Sequence, residues 1–109
     1  MSEKKYIVVF VTAASEEEAA KLGHAVVEDG LSACCNIVPS IRSIYKWEGK
    51  VFDENEVLCI MKTRKELFGA LKKRVIELHS YDVPEVISLK IKDGSEDYLR
   101  WISEVTKEK

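Results

Sequence analysis

The sequence shows no excess of charge of either sign: 17 Lys and Arg stand against 19 Asp and Glu in 109 residues, a formal charge of −2. Binders of nucleic acid or anionic membranes usually carry a strong basic excess or a basic stripe, so the balance removes the general electrostatic case for either partner. No uncharged run approaches the 18 or so apolar residues of a membrane span. The start Met1-Ser2-Glu3-Lys4-Lys5 has no apolar segment behind it resembling a signal peptide, so the expected compartment is the cytoplasm. Cysteine is scarce and odd in number, and Cys34, Cys35 and Cys59 are expected to be thiols in a reducing compartment. There is no Cys-x-x-Cys, no His-x-x-x-His and no clustered Cys/His tract. A closed structural zinc site is therefore not expected. Successive strand positions point to opposite faces, so adjacent Cys34 and Cys35 are poorly placed to hold one ion together.

What is present fits one domain over 1–109. A chain of this length buries roughly two-thirds of the surface its unfolded form exposes. Tyr6-Ile7-Val8-Val9-Phe10-Val11 is a continuous apolar, β-rich run, the pattern of a central strand. Ser15 followed by Glu18 is a capping-box signature. Ala19, Leu22, Val26 and Val27 then recur at helical spacing until Gly30, which predicts a helix over 16–29. From Leu31 to Thr63 the pattern is β. Ile37, Ile41, Tyr45 and Trp47 share one parity, Gly49 suits a turn, and Val57, Cys59 and Met61 share a parity on the return, with Cys59 expected in the core. Thr63 with Glu66 repeats the capping box ahead of a second helix, whose stripe is Leu67, Leu71, Val75 and Leu78 and which ends near His79. After Pro84, residues 86–91 read as a last strand. Gly94 and Ser95 then introduce a short helix carrying Tyr98, Trp101, Ile102 and Val105.

The order is βαββαβ plus a terminal helix, an α+β class with the ferredoxin-like, split-βαβ arrangement. Arms of about 15 extended residues span about 50 Å, whereas a globule of this length is about 35 Å across. The hairpin is therefore expected to project and to expose Ile41, Ile44, Tyr45, Trp47 and Phe52. Soluble proteins cover such a ribbon by pairing it with another subunit, which predicts a homo-oligomer; a bulge that folds the hairpin back is the alternative.

Fold alone does not assign function. The first loop, Thr12-Ala13-Ala14-Ser15, lacks the thiols of a metallochaperone and the Gly-rich, Arg-containing loop of an acylphosphatase, and residues 57–62 lack an RNP1-type string. No Ser-His-Asp, Cys-His or paired-carboxylate arrangement is legible, so an enzyme is not expected. Five stretches together do resemble one family: Ala33-Cys34-Cys35-Asn36-Ile37-Val38-Pro39, Ser43-Ile44-Tyr45-Lys46-Trp47-Glu48-Gly49-Lys50, Lys62-Thr63, His79-Ser80-Tyr81-Asp82-Val83-Pro84-Glu85 and Tyr98-Leu99-Arg100-Trp101. In that order and spacing they are similar to the CutA divalent-cation tolerance proteins. The resemblance implies a cytoplasmic homotrimer whose 31–63 hairpins pair between neighbours, linked to tolerance of copper and other divalent metals and to copper binding. The chain departs from the family in reading His79-Ser80-Tyr81-Asp82 where members commonly have His-Pro-Tyr-Glu.

Cys34 and His79 are the candidate metal pair, since a soft thiolate and an imidazole suit copper. A third ligand would come from Glu85, Cys35 or a neighbouring subunit. The competing readings are a small buried hydrophobe for Cys34 and a helix C-terminal charge for His79. Trp47, Lys62 and Tyr81, with Glu85, form a candidate inter-subunit cleft if the resemblance holds. Against this stand oligomer packing for Trp47 and Tyr45 and plain strand-end charge for Lys62 and Glu85. Two function classes follow: a homotrimeric copper or divalent-cation tolerance protein, and a non-enzymatic small-ligand-binding signalling or scaffold trimer with the architecture of the nitrogen-signalling trimers.

Overall fold

A computed structural model describes residues 5–108. Four strands and three helices follow in the order β1 (Tyr6–Ala13), α1 (Glu16–Glu28), β2 (Cys34–Trp47), β3 (Lys50–Arg64), α2 (Phe68–Leu78), β4 (Val86–Lys90) and α3 (Glu96–Val105). The strands form one sheet in the order β2-β3-β1-β4, every pair antiparallel.

The two faces of the sheet are unequal. Ile7, Val9, Val11 and Ala13 of β1 and Val57, Cys59 and Met61 of β3 form the core with Ala19, Leu22 and Val26 of α1 and Leu71 and Val75 of α2. The strand alternation sends Val8, Phe10, Leu58 and Ile60 to the other, open face. Ile87 and Leu89 join them through their register with Phe10 and Val8, and both are exposed. Tyr6 Oη lies 2.7 Å from Ser103 Oγ, and Ile102 is fully buried, so α3 covers one end of that face. Tyr98, Trp101 and Val105, grouped with Ile102 by spacing, remain exposed. No helix among the described residues is long and apolar enough to cross a membrane.

The termini of α1 follow the sequence signals closely. Glu18 N–H donates to Ser15 Oγ at 3.1 Å. Gly30 adopts φ +72°, and Leu31 N–H reaches Val26 O at 2.8 Å while Gly30 N–H reaches Val27 O, the Schellman pattern that a glycine makes possible. The second capping box is not formed. Thr63 is a buried β3 residue whose Oγ1 donates to Leu31 O at 2.7 Å, and α2 begins after a 3₁₀ turn over Lys65–Leu67 with no side-chain cap. Its hydroxyl is committed across the sheet before the helix begins.

The hairpin projects as its length requires: the molecule measures 49 × 25 × 22 Å. Trp47 pairs with Lys50 across Glu48 and Gly49, which take φ 50° and 81°, the two positive values of a tight type I′ turn. The alternative bulge also exists, but it turns the ribbon over without folding it back. Val38 pairs with Leu58 and Ile41 with Glu56, so Pro39 and Ser40 oppose Val57 alone. The shared parity of Ile37 with Ile41, Tyr45 and Trp47 is thereby broken. Ile37 pairs with core-facing Cys59, whereas Ile41 and Tyr45 pair with Glu56 and Phe52 on the open face. Pro39 carried the signal, since a proline within a strand is confined to edges and bulges.

Candidate functional site

The open face carries a concavity of about 770 Å³ between the ribbon and the loop after α2, lined by Ile41, Tyr45, Trp47, Phe52, Glu56, Tyr81 and Glu85 among others. A chain of hydrogen bonds built on Glu18 and His79 positions the loop. Glu18 accepts from Ala14 N–H at 3.0 Å and from Ser80 N–H at 2.8 Å, tying the start of α1 to the end of α2. Burial acts to raise its pKa, but those bonds and the nearby His79 outweigh it and hold the carboxyl below its ordinary value.

The His79 side chain is fully buried. Its Nδ1 accepts from Tyr81 N–H at 3.0 Å, which leaves Nε2–H to donate to Thr12 O at 2.7 Å. The imidazole and the Tyr81 ring then pack with centroids 4.6 Å apart. Tyr81 reaches the open face, where its hydroxyl donates to Glu56 Oε2 at 2.7 Å. Burial and the Glu56 carboxylate push the Tyr81 phenol up; burial and the same carboxylate push Glu85 up. On the ribbon, Tyr45 stacks on Phe52 at 5.3 Å and donates to Glu54 Oε1 at 2.6 Å, a bond that pushes its pKa up to about 12.

The concavity therefore offers two neighbouring carboxylates and phenols on an aromatic wall. Trp47, Tyr81 and Glu85 from the sequence reading meet in it; Lys62 does not. Lys62 pairs with Cys34 and bonds Asn36 Oδ1, four β1 positions away from the Thr12 level, roughly 13 Å along the strand. Cys34 and His79 are separated in the same way. Cys34 lies 3.9 Å from Tyr98 Oη under α3, and both His79 nitrogens are engaged at the opposite end of β1. Within one chain the structure does not bring the expected thiolate and imidazole together. Among the described residues no group of three or more His, Cys, Asp and Glu is placed to share an ion. Cys35 points to the core face, as strand alternation required. Glu56 went unread in the sequence, because a glutamate within a mixed polar stretch carries no signal until register sets it opposite Ile41.

The family model for the CutA1 divalent ion tolerance protein matches residues 7–105. The chain belongs to the CutA family. Over 99 residues this CutA-family chain is 46% identical to the divalent-cation tolerance protein CutA of Thermus thermophilus, covering 91% of this chain and 96% of that protein. It is 48% identical to a chloroplastic CutA protein of Arabidopsis thaliana over 93% of this chain, and spans 56% of that relative's length. The crystal structure of CutA1 from Oryza sativa superposes with a TM-score of 0.93 at 47% identity, covering 96% of both chains. The α+β architecture of a four-stranded antiparallel sheet with three helices is thus that of solved CutA1 structures. Family membership supports a role in divalent-cation tolerance.

Proposed function

We propose that this chain acts as a non-enzymatic, cytoplasmic homotrimer of ferredoxin-like subunits that binds copper or another divalent cation. The observation that carries the reading is the incompleteness of the open face. Ile87 and Leu89 are exposed on that face, and Tyr45 and Trp47 are exposed on the free ribbon that walls its concavity. Covering such a surface with a second and third copy removes apolar area from water at about 25 cal/mol per Å². It also satisfies β2, an edge strand.

In this reading Glu85 and Glu56 are the cation's oxygen donors and Tyr81 orients Glu56. Burial first, and the Glu56 carboxylate second, raise Glu85, and a divalent ion would offset both by stabilising the ionised carboxylate. Glu85 is retained from the expected metal set. His79 serves as the support of Tyr81, and Cys34 is left to a separate soft contact near α3. Native mass spectrometry at neutral pH, with and without copper(II), tests both halves. Three chains per particle and a cation lost in the Glu56→Gln, Glu85→Gln double variant are expected. A monomer, or cation uptake indifferent to the double variant, overturns the corresponding half.

The aromatic wall supports a second reading, a small-ligand-binding signalling or scaffold trimer. Tyr45, Phe52 and Trp47 give the concavity the mixed apolar and polar lining typical of organic-ligand sites. A thermal-shift screen that finds stabilisation by an aromatic anion and none by copper(II) would select it.

A further inference from the structure

We propose that Cys35, Cys59 and Met61 form a sulfur-only site for copper(I) between β2, β3 and α1, separate from the open-face concavity. Strand register places the three side chains together. Cys35 lies directly opposite Met61, and Cys59 is two residues from Met61 on the same face of β3. Cys59 and Met61 are fully buried, and Cys35 packs against the same core while remaining partly accessible, so an ion has an entry path at Cys35. On the helix side, Gly23 makes the space. A Cβ there would stand 3.0 Å from Cys35 Sγ, so the bare backbone of α1 roofs the sulfur cluster.

The chemistry of the donors selects the ion. Thiolate and thioether sulfur are soft ligands, which favour copper(I) over hard divalent ions, and an apolar surround suits an ion that needs no water. Diagonal strand positions such as 35 and 59 have Cβ atoms roughly 7 Å apart. A disulfide needs about 3.5–4.5 Å, so bridging through a metal suits the pair better than a direct bond. On binding, two copper–sulfur bonds replace two S–H bonds, both protons leave to solvent, Met61 donates a lone pair without proton loss, and copper keeps its oxidation state.

The test is anaerobic titration of the reduced full chain with copper(I), supplied as its acetonitrile complex against a competing chelator, with X-ray absorption of the loaded protein. The expected result is one tightly held copper per chain in a sulfur-only shell. Cys35→Val and Cys59→Val should each weaken it at least about tenfold, Met61→Leu should weaken it less, and Cys34→Ala should leave it unchanged. Cys35→Val is the decisive variant, since its site is partly open and its fold can be checked by circular dichroism should Cys59→Val fail to fold. Oxygen or nitrogen in the shell, full affinity in Cys35→Val, or loss of the ion in Cys34→Ala overturns the proposal. The Glu56→Gln, Glu85→Gln variant should bind copper(I) as the wild type does, so this site and the open-face reading stand or fall separately.

Discussion

Replacing His79 with leucine separates a structural imidazole from a ligand. The side chain is fully buried and makes two bonds, to Thr12 O at 2.7 Å and from Tyr81 N–H at 3.0 Å. Leucine fills much of the volume but makes neither bond. Two lost hydrogen bonds cost about 1 kcal/mol each, and a stranded buried partner adds about 1–3 kcal/mol. Thr12 is buried and its carbonyl lies on the β4 side of β1, beyond the last β4 pair and away from Leu58, so it is stranded when the imidazole is removed. The expected loss is therefore about 3–5 kcal/mol, shared between Thr12 and Tyr81, together with a displaced Tyr81 hydroxyl and a weakened bond to Glu56. Urea unfolding at fixed protein concentration reads the stability, because an oligomer's midpoint moves with concentration. Copper(I) titration of the still-folded variant reads the metal. A loss below about 1 kcal/mol with copper(I) affinity abolished would refute the assignment and restore His79 as a ligand.

Glu18→Gln should flatten the acid limb of the stability curve. The folded pKa of Glu18 is held below its ordinary 4.5, so its contribution is present above that value and lost as pH falls through the folded pKa; denaturant midpoints between about pH 5 and 3 measure this. Gly23→Ala places a methyl 3.0 Å from Cys35 Sγ and 3.1 Å from its Cβ, and overpacking of that kind should cost about 1–3 kcal/mol by thermal unfolding. The double variant Gly23→Ala, Cys35→Ala should recover part of that loss, and no recovery would place the strain elsewhere. Trp47→Arg puts a charge on the ribbon surface that the proposed trimer would cover and should lower the particle mass seen by light scattering; an intact assembly would contradict that placement.

The elements were legible because local chemistry and periodicity agreed: Ser15, Gly30 and Gly49 mark ends and turns through their own backbone needs, and the shared parity of Val57, Cys59 and Met61 marked the core side of β3. What stayed hidden depended on partners distant in sequence. Thr63 has the look of a helix cap, but Leu31 O claims its hydroxyl. Cys34 and His79 are both conspicuous ligand types, and only register shows them at opposite ends of β1. Glu18 reads as half of a capping box, yet its carboxylate is spent on Ala14 and Ser80. The parity of the ribbon failed at Pro39 because a period of two carries no memory across an extra residue.

That extra residue makes the outer ribbon a separately addressed surface. Beyond the bulge the ribbon's sidedness is held by its pairing with β3, Ile41 opposite Glu56 and Tyr45 opposite Phe52. Deleting Pro39 or Ser40 would leave one residue opposite Val57 and keep both of those pairs, so each face would retain its side chains. What the extra residue sets is the bend and twist of β2 where the ribbon leaves the body of the sheet. The direction in which the ribbon points can in this way be altered separately from the core contacts of Cys59, Met61 and Leu22.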